Sequence, residues 1–538
     1  MASNAGSRSE HHEDVDASDA NTSNKQGVTR TMLFFTIWIA FASWISNFDN
    51  GYAGTIITMP AFKSAFGSCE TTIDAATGAP TTTCTLSAMK QSLINLASLF
   101  MGVGGVLSGP TGYYLGRRGT VAFASALSVV GAAGMLGTSG SYINYMVCRC
   151  ISAVGLGQML AATSIYGAEC VAANRRGVLL GLFNVGLAMG NVAATAVCAG
   201  SATLDPSSNW QWQTPVICQI PLGILLGTGI WMFPESPRWL MTKGNEEAAR
   251  KSFGRFYGKP AYSQQITTQI NDVLRHLQSE RALGSTTSWT EIFHRADIRR
   301  TSVSALILVG LAISGIQFVA PYTALFLQGV GVSNFYVINV IIGVSILAGA
   351  SIGSWTVEYG GRRFSLILGY SILSVCMLIV GAVGTALDQS NPIAQKVLVA
   401  FLCIWAFVFG GFIGPCVWLA SAEMHSVRLR TYGQANTTLF YEIFAFGSSF
   451  WTPYMLSADY GNMGTNVGYF HFGVSAVLAV LMFLFVPETA RLTLEQIDEY
   501  FTSGRKAWHT STRRNKLIAS GTESDTGVLG TELEQAKA

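Results

Sequence analysis

The sequence predicts an all-α integral membrane protein with twelve transmembrane helices in two six-helix bundles. Of its 538 residues, 50% are hydrophobic and 12% are charged, and the mean hydropathy is +0.37. A soluble protein of this length has about 25% charged residues. Apolar segments of the ~20 residues that cross a bilayer recur along the chain. Loop motifs of the first half also recur in the second half, which indicates two related bundles.

The apolar segments, named spans 1 to 12, fall into two groups of six. The polar stretch between the groups is typical of short amphipathic helices that lie on the inner membrane face. We therefore expect a disordered cytoplasmic tail at 1–30, an N-terminal bundle at 31–233, a cytoplasmic helical linker at 234–300, a C-terminal bundle at 301–486 and a cytoplasmic tail at 487–538. The spans cover about 31–58, 90–112, 119–139, 142–165, 177–200, 213–233, 301–328, 335–356, 364–386, 396–420, 431–457 and 467–486.

The positive charges predict the orientation in the membrane. Cytoplasmic loops of membrane proteins carry an excess of Lys and Arg. Inner loops hold Arg117, Arg118, Arg175, Arg176, Arg238, Arg299, Arg300, Arg362, Arg363, Arg428 and Arg430, whereas outer loops and their edges hold Lys63, Lys90 and Lys396. This asymmetry places both termini in the cytoplasm. Residues 1–30 lack the apolar core of a cleavable signal, so we expect span 1 to be retained.

Span 1 contains a carboxylate, Asp49, near its centre. A charge in hydrocarbon costs at least a few kcal/mol, so it requires a partner or a function. Arg149 of span 4 is an isolated cation in its own apolar segment. We expect Asp49 and Arg149 to form a pair that faces an aqueous cavity. The alternative is that Asp49 lies in the headgroup region or forms a purely structural pair.

Three pairs of loop motifs occur at matching places in the two halves. Gly-Arg-Arg follows spans 2 and 8, two arginines follow spans 4 and 10, and Pro-Glu begins the segments after spans 6 and 12. A two-half repeat is typical of alternating-access transporters, with the binding site between the halves. Glu169 and Glu423, at the ends of spans 4 and 10, lie near the inner-loop arginines.

These acids and arginines predict a cytoplasmic gate made of charge-assisted hydrogen bonds. Such pairs would hold the cytoplasmic ends together while the outer cavity is open. The alternative is ordinary positive-inside decoration, which explains the arginines but not the acids. The predicted gate residues are Arg117, Arg118, Glu169, Arg176, Glu358, Arg362, Arg363, Glu423 and Arg430.

Two of the ten cysteines, Cys69 and Cys84, fall in the first outer loop. A disulfide is stable on the outer side of a membrane. We expect either a Cys69–Cys84 disulfide or two free thiols. Most of the other cysteines lie within spans and are typical of small apolar packing residues.

Glu442 is a second intramembrane acid, twelve residues beyond Arg430. That spacing places it about 18 Å along a helix, near the middle of the bilayer. Thr438, Ala445 and Ser449 share its helix face, so Glu442 is predicted to face the central cavity. Either it is a neutral group bonded to a neighbouring helix, or it contacts substrate.

The motifs make the chain similar to the sugar porters of the major facilitator superfamily, of a fungal type, over about 31–501. The resemblance rests on Phe48-Asp49-x-Gly51, the two Gly-Arg-Arg loops, Glu169…Arg176-Gly177, Pro234-Glu235-Ser236-Pro237-Arg238-Trp239-Leu240, Gly414-Pro415-x-x-Trp418, Glu423…Arg430 and Pro487-Glu488-Thr489. A weaker segment, Thr452-Pro453-Tyr454-Met455-Leu456, is similar to fungal α-glucoside permeases.

The resemblance implies roles for individual residues. Asp49 matches the acid that carries the proton in proton-coupled members, and Arg149 matches its partner. Trp418 matches the aromatic residue that stacks on the sugar ring. The remaining residues implied to bind substrate are Asn184, Asn191, Gln317 and Tyr322, together with Glu442 from the helix-face argument.

The sequence departs from the family pattern at several positions. Where the family has an Asp in the first inner-loop motif, this chain has Tyr113. The equivalent position in the second half is Glu358. Where the family has two Gln residues before the span-7 glycine, this chain has Leu311 and Ala312. The second pocket aromatic of span 11 aligns with Glu442. These departures leave the fold expectation intact and leave the sugar open.

The predicted function is proton-coupled uptake of a neutral sugar (a hexose, pentose or disaccharide) across the plasma membrane. The alternatives are a sugar sensor with little transport and a carrier of another polar metabolite. The tail after Phe501 has 37 residues, which disfavours the sensor because sensors of this family have long tails. No catalytic constellation is seen, so we expect no enzyme activity. We expect no cofactor or metal and no nucleic-acid partner, and a monomer in the lipid bilayer.

Overall fold

The computed structural model describes residues 29–73, 80–138, 140–171, 176–284, 289–294, 297–387, 391–426, 429–492, 494–503 and 506–519. Most of the predicted tail 1–30 lies outside these residues, as do 520–538 of the second tail. Arg175 and Arg428 of the inner loops also lie outside them. Span 5 begins at Arg176, but the side chain of Arg176 is not among those described.

The first half of the described chain contains six helical spans. Ten helices in the described residues are long and apolar enough to cross a membrane, and one of them, Ala88–Leu136, supplies spans 2 and 3. The spans of the first half are Arg30–Ile56, then Ala88–Leu93 continuing through a 3₁₀ turn at Ile94–Leu96 into Ala97–Leu136, then Tyr142–Cys170, Arg176–Ser201 and Trp210–Gly229, followed by a 3₁₀ turn at Ile230–Met232.

The second half repeats this arrangement. Span 11 is not among the ten apolar helices, because polar residues such as Gln434 and Asn436 lower its hydropathy, yet it forms a 27-residue helix. The spans are Ile298–Ile313 with Ile316–Gly329, Phe335–Gly360, Arg362–Ala386, Pro392–Val408 with a π-helical turn Phe409–Ile413 and Gly414–Met424, Arg430–Leu456, and Val467–Phe485 after a 3₁₀ turn at Gly464–Asn466. The predicted fold class is confirmed.

Short elements connect the spans. The helix Pro60–Phe66 and the antiparallel strands Ser68–Ile73 and Pro80–Thr85 follow span 1, where the sequence predicted only a loop. The stretch between the halves contains Pro237–Thr242, Glu246–Tyr257, Gln264–Gly284 and a 3₁₀ turn, Trp289–Phe293. Leu494–Thr502, a 3₁₀ turn Ala507–His509 and Thr512–Ala519 follow span 12.

The Gly-Arg-Arg motifs form the sharp turns between spans 2 and 3 and between spans 8 and 9. Gly116 has φ +76° and Gly361 has φ +94°, a region that L-residues with a Cβ rarely adopt. A Cβ at Gly116 would also lie 2.6 Å from a carboxylate oxygen of Glu235. The glycine of each motif is therefore required for the turn and for the approach of an acid.

The linker and the C-terminal segment dock at equivalent places beneath the two halves. Ser252 of the helix Glu246–Tyr257 donates a hydrogen bond of 2.5 Å to the backbone carbonyl of Glu235. Asn515 of the helix Thr512–Ala519 donates one of 2.9 Å to the carbonyl of Glu488. Both segments thus hold the Pro-Glu motif that follows the last span of a half.

The two halves contact each other at one end of the bundle through hydrogen bonds. We name this end, which carries the strands 68–73 and 80–85, the hairpin end, and the opposite end, which carries 116–118 and 361–363, the arginine end. Among the described residues, hydrogen bonds between the halves lie at the hairpin end. They join Thr55 to Asn339, Thr58 to Tyr336, Lys63 to Gln328, Ser92 to the Phe450 carbonyl, and Tyr322 to Asn95 and to the Gln91 carbonyl.

Candidate functional site

Asp49 and Arg149 form an ion pair inside the first half. Arg149 Nη2 lies 3.1 Å from Asp49 Oδ2 and Nη1 lies 3.3 Å from Oδ1, so the guanidinium holds the carboxylate in a two-pronged arrangement. Each side chain is 1% exposed. Removing one partner of such a buried pair costs about 3–5 kcal/mol, because the other charge is left uncompensated.

Polar groups from spans 1 and 4 themselves and from spans 3 and 6 complete the surroundings of this pair. The Tyr52 hydroxyl lies 2.6 Å from Asp49 Oδ1 and 2.9 Å from Gln219 Oε1. Gln219 of span 6 also donates to the hydroxyls of Ser128 and Ser152, at 3.1 and 3.2 Å. Neither Tyr52 nor Gln219 was predicted from the sequence. The spacing of Tyr52 three residues after Asp49, on the same helix face, was the available signal.

Arg149 uses its third nitrogen outside the ion pair. Its Nε donates a hydrogen bond of 3.1 Å to the backbone carbonyl of Ile94. Ile94 begins the 3₁₀ turn that interrupts span 2. The guanidinium therefore connects span 1, where Asp49 lies, to an irregular turn of span 2.

A charge network lies at the arginine end of the first half. Arg117 Nη2 and Nε lie 2.7 and 3.0 Å from the two carboxylate oxygens of Glu169. Glu235 accepts hydrogen bonds from the backbone N–H groups of Arg117 and Arg118, at 2.9 and 3.3 Å. The Ser236 hydroxyl donates to Glu169 at 2.5 Å. Two acids thus join the turn between spans 2 and 3 to the end of span 4 and to the loop after span 6.

The second half repeats this network residue for residue. Arg362 Nη2 and Nε lie 3.0 and 3.3 Å from the oxygens of Glu423. Glu488 accepts from the N–H groups of Arg362 and Arg363, at 2.9 and 3.2 Å. The Thr489 hydroxyl donates to Glu423 at 2.6 Å. Glu235 and Glu488 were not among the predicted gate residues, although both belong to the Pro-Glu motifs after spans 6 and 12.

Each network lies within its own half, and neither joins the two halves in this structure. Arg118 and Arg363 donate to backbone carbonyls of their own half, those of Phe233 and Val486. Of the other predicted gate residues, Glu358 is exposed and Arg430 is half-buried, and neither is brought into an ion pair among the described side chains.

His425, at the same end, follows directly after span 10. Burial lowers the pKa of His425 to about 4, and the nearby charges of Arg430 and Arg300 act in the same direction. The imidazole is therefore neutral at ordinary pH and does not add a charge to the network.

Three residues of the second half form a contiguous group between spans 7, 10 and 11. The rings of Trp418 and Tyr441 meet edge to face, with centroids 5.1 Å apart. The Tyr441 hydroxyl is hydrogen-bonded to the side chain of Gln317. Trp418 remains 39% exposed. Tyr441 was not predicted from the sequence, because the resemblance matched Glu442 to the second pocket aromatic.

Glu442 faces the first half. A methyl group added at Gly102 of span 2 would lie 3.2 Å from Glu442 Cγ. The carboxyl group therefore lies between the halves, next in sequence to the aromatic group formed by Tyr441 and Trp418.

Asn184 and Asn191 lie two turns apart on span 5, and both are half-buried. Span 5 is held against span 1 because Asn47 donates to the Leu187 carbonyl at 2.7 Å. Span 5 also packs along span 8 of the second half, where Gly343 lies close to Val192. Both asparagines thus lie on a helix that borders the interface between the halves.

Tyr322 occupies a different position from the other predicted substrate residues. It is fully buried at the hairpin end, where it accepts a 2.6 Å hydrogen bond from Asn95 and donates one of 3.2 Å to the Gln91 carbonyl. In this structure its hydroxyl joins the halves. Lys63 bonds Gln328 at the same end, and burial lowers the pKa of Lys63 from its ordinary value.

The strands at the hairpin end carry the two outer-loop cysteines. Cys69 and Cys84 are direct partners in the antiparallel pair, and a disulfide joins them.

A separate groove of about 450 Å³ opens between spans 2 and 4. It is lined by apolar side chains such as Leu96, Phe100, Met146 and Ile151, and none of the predicted substrate residues lines it. An all-apolar lining does not suit a polar solute. The described residues contain no group of three or more His, Cys, Asp or Glu side chains that could hold a metal ion.

The chain is similar in sequence or in structure to several known transporters and to a sensor. The chain is 27% identical over 499 residues to the "Probable glucose transporter rco-3" of Neurospora crassa, covering 90% of this chain and 82% of that protein. It is 26% identical over 492 residues to the "High glucose sensor RGT2" of Saccharomyces cerevisiae, covering 90% of this chain and 62% of that protein. The inward-open structure of the xylose transporter XylE from E. coli has a TM-score of 0.70 and 19% identity, covering 87% of this chain and 99% of that one.

A family model described as "Sugar (and other) transporter" matches residues 35–501. That match includes all twelve spans except the first residues of span 1, and the structural similarity supports the same fold. The expectation that the protein is not an enzyme is confirmed by this membership. The chain therefore belongs to the sugar transporter family of the major facilitator superfamily and is a multi-pass membrane protein.

Proposed function

We propose that the protein takes up a neutral sugar together with a proton across the plasma membrane, with both termini in the cytoplasm. The observation that carries this proposal is the Asp49–Arg149 pair, 3.1 Å apart and 1% exposed within a transporter fold. A membrane potential of 100 mV supplies about 2.3 kcal/mol per charge, enough for about fiftyfold accumulation.

The surroundings of Asp49 support its role as the proton carrier. A phenol has one proton, so while Asp49 is charged Tyr52 donates it to Asp49. Once protonated, Asp49 can donate to the Tyr52 oxygen, and Tyr52 can then donate to Gln219, 2.9 Å away. The added proton therefore has an acceptor, and the guanidinium of Arg149 loses its counter-charge.

The group formed by Gln317, Tyr441 and Trp418 supports sugar binding. A pyranose has an apolar C–H face and a polar rim, which suit an aromatic ring and amides. Trp418 offers an exposed ring, and Gln317 and the span-5 residues Asn184 and Asn191 offer amides. These residues come from both halves, so a sugar bound among them would be released when the halves change their relative position.

The state of the two ends supports a cytoplasm-facing conformation. Hydrogen bonds close the hairpin end, which the positive-inside rule places outside the cell. The networks at the arginine end tie helices within each half. We propose that they make each cytoplasmic end rigid, so that the halves move as units.

Glu442 favours a second candidate, a carrier of a polar metabolite other than a common neutral sugar. Its carboxyl group lies between the halves, and two amides that the family uses are replaced by Leu311 and Ala312. A carboxylate at the centre of the site selects hydroxyl or cationic groups and disfavours anions.

Uptake of a labelled panel tests these candidates. The panel contains hexoses, pentoses, disaccharides, a sugar acid and an amino sugar, and uptake is measured in cells that lack their own sugar carriers, with and without an uncoupler. Accumulation of a neutral sugar that the uncoupler abolishes supports proton symport. The second candidate is supported if the parent protein prefers the amino sugar and the Glu442→Gln variant loses that preference. Binding without uptake would favour a sensor and contradict both.

A further inference from the structure

Span 2 starts with a break in its helix. The α-helix Ala88–Leu93 tightens to a 3₁₀ turn at Ile94–Leu96 before the long helix begins at Ala97. A 3₁₀ stretch inside a helix often marks a hinge. Two groups outside span 2 bind this turn, Arg149 through the Ile94 carbonyl and Tyr322 through the Asn95 side chain.

These contacts form a continuous chain from the buried ion pair to the second half. Asp49 binds Arg149, Arg149 binds the Ile94 carbonyl at 3.1 Å, and Asn95 is the next residue. Asn95 Nδ2 donates to the Tyr322 hydroxyl at 2.6 Å, and that hydroxyl donates to the Gln91 carbonyl at 3.2 Å. Asn95 is 8% exposed and Tyr322 is fully buried.

We propose that Asn95 is the positioning residue that couples the protonation of Asp49 to the closure of the hairpin end. The turn 94–96 acts as the hinge, held from the first half by Arg149 and from the second half by Tyr322. The inference rests on the proposed proton coupling and assigns to it a structural route.

Arg149 holds the turn 94–96 only while its guanidinium is fixed by Asp49. A buried guanidinium that loses its counter-charge must find other acceptors, because leaving it unpaired is costly. When Asp49 is protonated, the fork of two bonds no longer fixes the guanidinium, so the guanidinium reorients toward other acceptors and releases the Ile94 carbonyl. The turn can then shift, and Asn95 shifts with it. Closure of the hairpin end therefore favours the charged form of Asp49. By reciprocity, protonation of Asp49 favours opening of the hairpin end.

The groups that face Asp49 are consistent with this assignment. Among the described residues, the titratable or charged ones are Tyr52 from its own span and Tyr145 and Arg149 from span 4. Span 6 contributes the neutral amide of Gln219. Arg149 is the cation among them and the one whose contacts reach span 2.

The test is a double-variant cycle measured by hydrogen–deuterium exchange of the full-length protein in lipid nanodiscs. Asp49→Asn keeps the shape of the acid and imitates its neutral form, and Asn95→Leu removes the amide at similar size. The matched control is Asn339→Leu. Asn339 is another buried asparagine whose hydrogen bond, to Thr55, joins the halves at the same end but has no described contact with Arg149.

We expect Asp49→Asn to speed the exchange of segment 88–96 about fivefold or more, the lower bound of typical coupling between sites. In a protein that already carries Asn95→Leu, adding Asp49→Asn should increase the exchange rate of 88–96 by less than twofold. In a protein that carries Asn339→Leu, adding Asp49→Asn should still increase that rate about fivefold or more. Tyr322→Phe, which removes only the hydroxyl, should behave like Asn95→Leu and replaces it if that variant does not fold.

The proposal is overturned if Asp49→Asn leaves the exchange of 88–96 within twofold of the parent protein. Equal increments in the Asn95→Leu and Asn339→Leu backgrounds would overturn it as well. Exchange requires no substrate, so a protein that shows this coupling but transports no sugar would contradict the proposed function and leave the inference standing. Proton-coupled sugar uptake in a protein whose segment 88–96 does not respond to Asp49→Asn would support the proposed function and overturn the inference.

Discussion

The two halves of the molecule carry the same network at the arginine end but differ in their interiors. Arg117 with Glu169 and Glu235 has its counterpart in Arg362 with Glu423 and Glu488, with matching donors and distances. The buried Asp49–Arg149 pair has no such counterpart among the described residues. Arg149 lies 20 residues before Glu169, and the residue 20 places before Glu423 is the uncharged Cys403.

This difference separates two kinds of task. A movement of two similar halves against each other requires rigid ends on both, which explains a duplicated network. Coupling to one proton requires one titratable group, which explains an ion pair in one half. The duplicated contacts are thus assigned to the conformational change, and the single pair to its driving force.

The largest expected effect concerns the unduplicated pair. Arg149→Leu removes the cation that compensates the buried carboxylate of Asp49, so we expect a loss of about 3–5 kcal/mol in stability. Adding Asp49→Asn removes the stranded charge and should restore much of that loss. Thermal unfolding of the purified variants measures both effects. A single Arg149→Leu variant as stable as the parent would show that the pair is not truly buried.

The next effect concerns the duplicated networks. Arg117→Gln and Arg362→Gln remove the two-pronged bonds to Glu169 and Glu423 at equivalent places. Bonds to charged groups contribute about 1.5–3 kcal/mol, and the partial exposure of these arginines reduces that value. We expect the two variants to lose similar stability and to slow sugar exchange to a similar extent.

Exchange of labelled sugar in vesicles, together with thermal unfolding, measures this symmetry. Lys251→Gln is a suitable control, because it also removes a cation from an ion pair, with Glu247, but at an exposed site. If one arginine variant were neutral and the other inactive, the two networks would have different roles.

Sequence reasoning found the charged residues more readily than their surroundings. Asp49 and Arg149 stand out because charges are rare in apolar spans, and the structure brings them together. Glu169 and Glu423 stand out because they repeat. Glu235 and Glu488 were missed as network members because they bind backbone N–H groups, which become available only when a glycine adopts a positive φ.

Other features depended on contacts that a single sequence does not reveal. Tyr441 was missed because a one-residue shift along a helix changes which side chain reaches Trp418. The strands near Cys69 and Cys84 were missed because their Thr-rich segments are short and polar. Tyr322 was assigned to substrate on the basis of its neighbour Gln317, whereas the break of span 7 at Gly315 and its packing at the hairpin end give it another environment.

A smaller effect concerns the substrate group in the second half. Trp418→Ala should weaken sugar binding by about 1–3 kcal/mol, by analogy with the range for losing one stacking contact between a nucleobase and an aromatic side chain. Tyr441→Phe keeps the ring and removes the bond to Gln317, so it should cost about 0.5–1.5 kcal/mol. Binding isotherms measure both. Unchanged affinity in a folded Trp418→Ala variant would remove this residue from the site.

The smallest effect on transport is expected at the hairpin end. Cys69 and Cys84 lie on strands outside both charge networks, so Cys69→Ser with Cys84→Ser should leave the rate of uptake within about twofold, consistent with the small effects of most surface substitutions. Peptide mapping under non-reducing conditions should find the two cysteines joined. Two free thiols in the mature protein would contradict the disulfide.

The central claim, that the unduplicated pair couples sugar movement to a proton, is tested most directly with Asp49→Asn in reconstituted vesicles. With a proton gradient imposed, the parent protein should accumulate sugar above the outside concentration, and the variant should not. The variant should still exchange labelled for unlabelled sugar at equal concentrations, because binding and the movement of the halves remain. A variant that still accumulates sugar against its gradient would contradict the claim.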